Sequence, residues 1–524
     1  MARKKGYDYD CIIIGSGLGG LVTGAYLAKQ GIKILICEQH TQPGGYFTSF
    51  TRKGYTFDGG IQACEDCGML FATLRQIGVL DRVEIKRSVF ALATPDNFFP
   101  FRSYDGVFEF YEELIRVYPH ESQGIKQIIE DIKLNCAVMD AYSNLANPMF
   151  APLKETMSAY RRWRKKYDEA LKYQKDFFRM MNVPLDDYLG QHLSDPCLIN
   201  YFRQMMYAGS PAAFMLIFNY FVMDYYHPQG GFQAISDALA GFIAERGGQI
   251  RYKTRVDEIL MERGRARGVR LRDGEALRAR FVVSNGDARR TFLKMLPADA
   301  TEESYKQMLR ETPVSESMVA VFLGVDIPAE KLPVQGCQHI YYMPDFKGTD
   351  PLQSLNDENY YRRAPVEITI TSLQDPSLAP EGKTSIVLQS IAYMDYAGRW
   401  GTDNGNRTER YKELKEKVAD QLIANAEKVI PGLSEKIEFR AVATPFTHER
   451  YTLNSEGASA GWTYNPQEAF NSGKEGIWGF RTPVKNLYLV GHWTMSPGGA
   501  PACFMSGKMV SSIIKWRLRL RLGS

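Results

Sequence analysis

The 524-residue sequence predicts an α/β fold, and three features carry that expectation. A buried strand near the start runs through a glycine turn into a helix, glycine-rich turns return near the middle and the end, and the hydrophobic period between them switches from helical to strand-like. At roughly 150 residues per domain the length suits two or three compact units rather than one core.

The first element is the apolar run at residues 10–14, Asp10-Cys11-Ile12-Ile13-Ile14, which has the composition of a parallel strand buried on both faces. It leads into Gly15-Ser16-Gly17-Leu18-Gly19-Gly20 and then an alanine-rich helix expected over 21–30. Gly15 permits a tight turn, Gly17 lets backbone approach a diphosphate, and Gly20 lets the helix pack on the strand. The helix N-terminus then offers free N–H groups to phosphate. A second strand, expected over 32–37, ends at Glu38, where a dinucleotide-binding fold places the carboxylate that takes ribose hydroxyls. Such a Rossmann-like unit implies a dinucleotide cofactor. Pro43-Gly44-Gly45 and Gly59-Gly60 follow, and paired glycines allow backbone to lie against an extended dinucleotide and its ring.

Composition excludes several classes. Lys plus Arg number 64 against 60 acidic residues, a surplus too small for a nucleic-acid binder, and 44% hydrophobic content excludes disorder. Eight scattered cysteines, with Cys11 and Cys37 inside strand-like runs, imply reduced thiols in a cytoplasmic-type compartment and no disulfide framework. The apolar run after Arg3, Lys4 and Lys5 stops at Gly15, so no signal-peptide core is expected. The greasiest stretch, 212–223, is interrupted by Asn219 and falls short of the roughly 18–20 residues of a membrane span. Two basic, greasy segments, 159–175 and 513–522, are candidates for peripheral contact with the cytoplasmic face of a membrane, or else a solvated face and a frayed terminus. The Arg/Leu alternation of the second has a strand period.

The fingerprint, Pro43-Gly44-Gly45 and Gly54-Tyr55-Thr56-Phe57-Asp58 resemble the FAD-dependent phytoene desaturase, carotenoid isomerase and retinol saturase group of the flavin amine-oxidase superfamily. Pro228-Gln229-Gly230-Gly231-Phe232, Gly247-Gly248, Val256 and Gly268-Val269 resemble its returning FAD segment, and Asn486 to Gly491 with Pro497-Gly498-Gly499-Ala500 its closing one. The resemblance implies a GR2-type FAD-binding domain from residues 6–100, 229–300 and 452–524, with an α+β substrate domain from 101–228 and 301–451. It also implies cofactor contacts from Gly15, Gly17, Leu18 and Gly20; from Glu38, Gln39, Gly44, Gly45 and Tyr46; from Gly60, Ile61 and Val256; and from Gly491, His492, Pro501 and Ala502. Residues 443–451 resemble the carotenoid isomerase and retinol saturase branch more than the bacterial desaturases. Two positions depart from the pattern: Tyr46 stands where Arg is usual, and His492 where a small or acidic residue is common.

Between the cofactor segments, Met157, Tyr160, Tyr167, Leu171 and Phe178 recur at helical spacing opposite a basic face. Strands are expected at 367–373 and 385–392, and a polar helix at 407–429, ended by Pro431-Gly432. Phe214, Phe218, Phe221, Tyr225 and Tyr226 suit the wall of an apolar tunnel or a plain helix core.

The resemblance places Gln62 and Glu65 near the flavin ring as the nearest polar candidates, with Glu65 either a proton-transfer group or a solvated acid. His227, beside the cofactor-domain junction, is a candidate to orient substrate or a satisfied buried histidine. Cys64 and Cys67 have the spacing of a redox dithiol, but no second pair completes a metal site. A single fingerprint leaves electrons to a quinone, a small carrier, dioxygen or a transient NAD(P)H encounter. The expected function is FAD-dependent saturation, desaturation or cis–trans isomerisation of carbon–carbon bonds in a long lipophilic polyene or isoprenoid. The alternatives are a flavin amine oxidase and a non-catalytic prenyl carrier of the GDP-dissociation-inhibitor type.

Overall fold

The structure is a computed structural model that describes residues 6–144, 153–204, 206, 210–344, 354–463, 479–495 and 498–522. Two large sheets organise it. The first is seven-stranded with Tyr9–Ile14 at its centre, paired in parallel with Ile34–Cys37 on one side and Ala276–Ser284 on the other. Gln249–Arg251 extends it in parallel beyond Ile34–Cys37. Ala276–Ser284 is shared: Val282 to Ser284 pair in parallel with Leu487–Leu489, while Ala276 to Arg278 pair with the antiparallel strand Arg265–Leu271. Val256–Glu262 completes the hairpin. The near-continuous Ile and Val content of the central strands follows from burial on both faces.

On one face, Ile13 and Ile36 pack with the helices Leu18–Lys29, Gln233–Glu245 and Gly499–Leu522. Gly24 and Gly507 make that layer close, because a Cβ at either would lie 2.8 Å from Ile36 or Val22. On the other face, Ile12, Leu35 and Val282 meet Phe292, Trp462 and Trp493. The first helix starts at Leu18 rather than 21, since nothing in the glycine turn delays it. The second strand starts at Ile34 rather than 32, because the N–H groups of Gly31 and Ile32 bond back to Ala28 and Leu27 and finish the helix.

The tail at 513–522 is helical despite its Arg/Leu period: Gly499–Leu522 packs along Leu18–Lys29, and this tertiary contact overrides the alternation. Ile514 is buried there and Trp516 exposed.

The second sheet runs Ile437–Ala443, Ser317–Val325, Thr384–Ala392, Val366–Thr369, His339–Tyr342, Phe90–Ala93, Phe98–Phe101. Only His339–Tyr342 and Phe90–Ala93 pair in parallel. Alternation sorts its faces. Ala91 and Ala93 point to a core shared with Val418 and Leu422 of the helix Glu409–Ala426, whereas Phe90 and Leu92 point to the helical insertion. The first expected cofactor segment, 6–100, thus ends in two strands of this second sheet. The strand expected at 367–373 stops at Thr369 and gives way to a 3-10 turn, Thr371–Leu373. The helix expected at 407–429 is capped by Thr408, whose hydroxyl accepts from the Tyr411 N–H.

The long insertion helix, Leu153–Met180, buries Phe177 and Met180 but leaves Met157 and Phe178 exposed; the side chains of Tyr167 and Leu171, like that of Phe221, lie outside the described residues. A three-stranded sheet, Cys64–Glu65, Tyr225–Pro228 and Ile85–Arg87, joins the two halves. Among the described residues, no helix is long and apolar enough to cross a membrane.

Candidate active site

The strand Tyr9–Ile14 empties into a cleft walled by backbone. Gly15 turns at φ +89°, and Gly17 caps the helix Leu18–Lys29 without any side-chain hydrogen bond, which leaves its first N–H groups for an anion. Gly44 bridges Gly17 and donates its N–H to Ser16 O at 2.9 Å. Its φ is +128°, and a Cβ there would lie 2.3 Å from Phe47 O. Asn285, which the sequence reading missed, fills the gap among three glycines: its amide would meet a Cβ at Gly17, Gly19 or Gly491 within 2.6–2.8 Å. Glu38 ends the neighbouring strand, and its carboxylate accepts from Ser16 N–H and Oγ at 2.8 and 2.7 Å and from His40 N–H at 2.8 Å.

This cleft is one end of a continuous cavity of about 1300 Å³. Gly15, Gly17, Leu18, Glu38 and Gln39 line it, as do Gly44, Gly45, Tyr46, Gly60 and Ile61. Val256, Gly491, His492, Pro501 and Ala502 line it from the later segments. Gly20 does not: it is spent on helix–strand packing, with its Cβ position 2.2 Å from Gly15 O. Arg255 and Arg290 add positive charge to the cleft wall. Burial, with the neighbouring Arg255, pulls the Arg290 guanidinium down from its ordinary value. Neither arginine is signalled by a motif.

The helical insertion lines the cavity mainly with apolar side chains, beside the Asp186–Arg203 ion pair, Asn200 and Ser210. Phe214 and Phe218, one helical turn apart on Ala212–Met223, face the cavity with Phe90, Met181 and Tyr225. Gln62 and Glu65 also line the cavity. Gln62 Nε2 donates to Asp58 O at 3.0 Å, while its Oε1 is buried with no partner. Glu65 lies opposite Tyr225 across an antiparallel pair, and Glu367 lines the same wall from the second sheet. Burial first, and then the Glu367 charge, lift the Glu65 carboxyl to about 7. Cys67 also lines the cavity, but burial and the acids around it push both the Cys64 and Cys67 thiols well above the ordinary range. That is the opposite of what a reactive dithiol needs. None of the eight cysteines is in a disulfide, and among the described residues no acidic, His and Cys cluster suits a metal.

His227 is placed elsewhere. It does not line the cavity; it is buried with Nε2 2.7 Å from Asp58 Oδ2. Asp58, which in sequence belongs only to a glycine motif, is the partner that holds His227 outside the cavity lining.

A family model described as flavin containing amine oxidoreductase matches residues 18–514, and the chain belongs to that family. It is 28% identical to prolycopene isomerase 2, chloroplastic, of an Oncidium hybrid cultivar, over 97% of this chain and 84% of that protein. It is 25% identical to the all-trans-retinol 13,14-reductase of Danio rerio (96% and 85% covered) and 27% identical to the neurosporene-forming phytoene desaturase of Rhodobacter capsulatus (96% and 93%). Cyclohexylamine oxidase from Brevibacterium oxydans shares the fold at TM-score 0.58 and 13% identity, over 98% of this chain and 100% of that one.

FAD is the cofactor. The glycine-walled cleft, the uncapped helix end, Glu38 and the two arginines suit a diphosphate and a ribose, and the unpartnered Gln62 Oε1 and His448 Nε2 on the cavity wall await polar atoms. When bound, FAD accepts or donates a hydride.

Proposed function

We propose that this protein is an FAD-dependent oxidoreductase acting on a C=C or CH–CH unit of a long, lipophilic polyene or isoprenoid. The observation that carries the reading is the continuity of the cavity: the cofactor cleft opens directly into a pocket walled by Phe90, Phe214, Phe218 and Tyr225. Such a pocket holds an extended apolar chain and excludes water from its reacting bond. The relatives named for prolycopene, retinol and phytoene point to the same substrate class.

Glu65 is the residue on this cavity wall suited to move a proton at substrate carbon. Held near neutrality, it gives a proton in the reductive direction and takes one in the oxidative direction. Gln62, anchored through Nε2 to Asp58 O, positions the backbone of the Gly60 to Gln62 turn.

The test is anaerobic incubation of oxidised and of chemically reduced holoprotein with prolycopene, phytoene and all-trans-retinol, followed by mass analysis. Gain of a hydrogen pair identifies a saturase, loss a desaturase, and unchanged mass with altered retention an isomerase. Peroxide-releasing turnover of simple amines, with all three polyenes untouched, would overturn the proposal.

A further inference from the structure

Residues 443–451 carry a family resemblance, and the expected domain division puts them with the substrate. In the structure, Pro445–Thr452 is a helix, set by a capping box between Thr444 and Thr447. It lies along the cofactor cleft: His448, Tyr451, Thr452 and Leu453 all line the cavity. At one end the Tyr451 carbonyl accepts from Gln39 Nε2 at 3.2 Å and contacts the His40 ring nitrogen, so the helix is tied to the arm that carries Glu38.

At the other end His448 packs against Tyr46, the residue that follows the double glycine. Its ring centroid lies 5.9 Å from that of Tyr46, and Tyr46 lies 6.1 Å from His492. The Tyr46 hydroxyl is already spent, donating to the Ala458 and Gly457 carbonyls at 3.1 and 3.3 Å. Burial holds both imidazoles down to about 4, so this wall carries no charge at neutral pH. His448 is buried, and its Nε2 has no partner. In its Nε2–H tautomer this imidazole is a donor without an acceptor, next to Tyr46 and the Gly44-Gly45 turn.

We propose that residues 444–453 form a strap over the dinucleotide, in which His448 Nε2 donates a hydrogen bond to a diphosphate oxygen of the cofactor. The cleft then grips the diphosphate asymmetrically. Arg290 and the Asp257-paired Arg255 line the same cavity and supply cationic side chains, and a neutral imidazole supplies a directed donor. This proposal rests on FAD occupying the cleft.

The test compares wild type with His448→Phe and His448→Gln as apoproteins, titrated with FAD, ADP and riboflavin and followed by fluorescence quenching or calorimetry, with apoprotein thermal unfolding alongside. H448F is expected to lose about tenfold or more in affinity for FAD and ADP, the value of one hydrogen bond to a charged group, and nothing for riboflavin, which has no phosphate. H448Q keeps a donor and is expected to recover most of the loss. Apoprotein H448F should unfold no earlier than wild type, since it removes an unsatisfied buried atom. FAD binding by H448F within twofold of wild type, or an equal loss for riboflavin, overturns the proposal. If H448F fails to fold, His448→Leu against H448Q gives the same comparison. A wild-type protein that takes up no FAD overturns the cofactor assignment itself, a distinct result from uptake by wild type and H448F alike.

Discussion

His227 Nε2 sits 2.7 Å from Asp58 Oδ2, and the other oxygen of that carboxylate accepts from the Phe232 N–H at 2.8 Å and Ser49 Oγ at 2.6 Å. Asp58 precedes the Gly59-Gly60 turn, so one buried carboxylate joins that turn to the start of the returning cofactor segment. His227→Ala leaves the carboxylate short of a donor and should cost about 2–4 kcal/mol in chemical denaturation. In the folded fraction the turnover of bound substrate should be nearly unchanged. A large fall in kcat at undiminished stability would restore His227 to the chemistry.

The pH limb of turnover should report the direction of reaction. Glu65 is raised to about 7, so a step that needs its proton slows as pH climbs through 7, and a step that needs its carboxylate speeds up. Glu65→Gln should lower kcat roughly a hundredfold or more with FAD still bound, measured by stopped-flow flavin absorbance.

The same burial affects stability. The folded protein holds protons on Glu65 and Asp224 up to about pH 7, whereas the unfolded chain releases them near 4.5 and 3.8. Stability from these groups is therefore fully present below the unfolded values and is lost as pH rises to about 7. Apoprotein carrying E65Q and Asp224→Asn should show a flatter decline in denaturation midpoint between pH 4.5 and 7.

Gly44→Ala should yield a folded protein without yellow colour. Its φ of +128° and the 2.3 Å approach of a Cβ to Phe47 O force the turn to shift where it meets Gly17. Flavin absorbance per mole of purified protein reads the outcome, and full occupancy would show that the turn does not touch the cofactor.

Phe218→Trp narrows the cavity where the helical insertion lines it. It should raise KM for a long polyene about tenfold or more while FAD uptake stays at the wild-type level, a split read by steady-state kinetics and flavin titration.

The cofactor cleft was legible because phosphate approach dictates residue type: glycine where a Cβ collides, an acid at the end of the next strand. Such constraints are local and survive in one dimension. Phe90–Ala93 and Phe98–Phe101 were not legible as part of the second sheet, because Pro100 argues against a strand and is tolerated only where Phe98–Phe101 forms the sheet's edge. The two readings of His227 could not be separated in sequence because its partner stands 169 residues away. Arg290 and Glu367 carry no motif, and His448 lies in a stretch whose resemblance gives it no role; only their convergence on one cavity marks them.

Ala276–Ser284 receives Tyr9–Ile14 on one side and Leu487–Leu489 on the other, so the cradle for the cofactor is closed by residues at opposite ends of the chain. At roughly 5–20 residues per second, synthesis separates those two strands by on the order of 25 to 100 s. Through that interval a nascent chain exposes an unpaired edge and an open cleft. Firm flavin capture is therefore expected only after Leu487–Leu489 has been made and has paired with Ala276–Ser284.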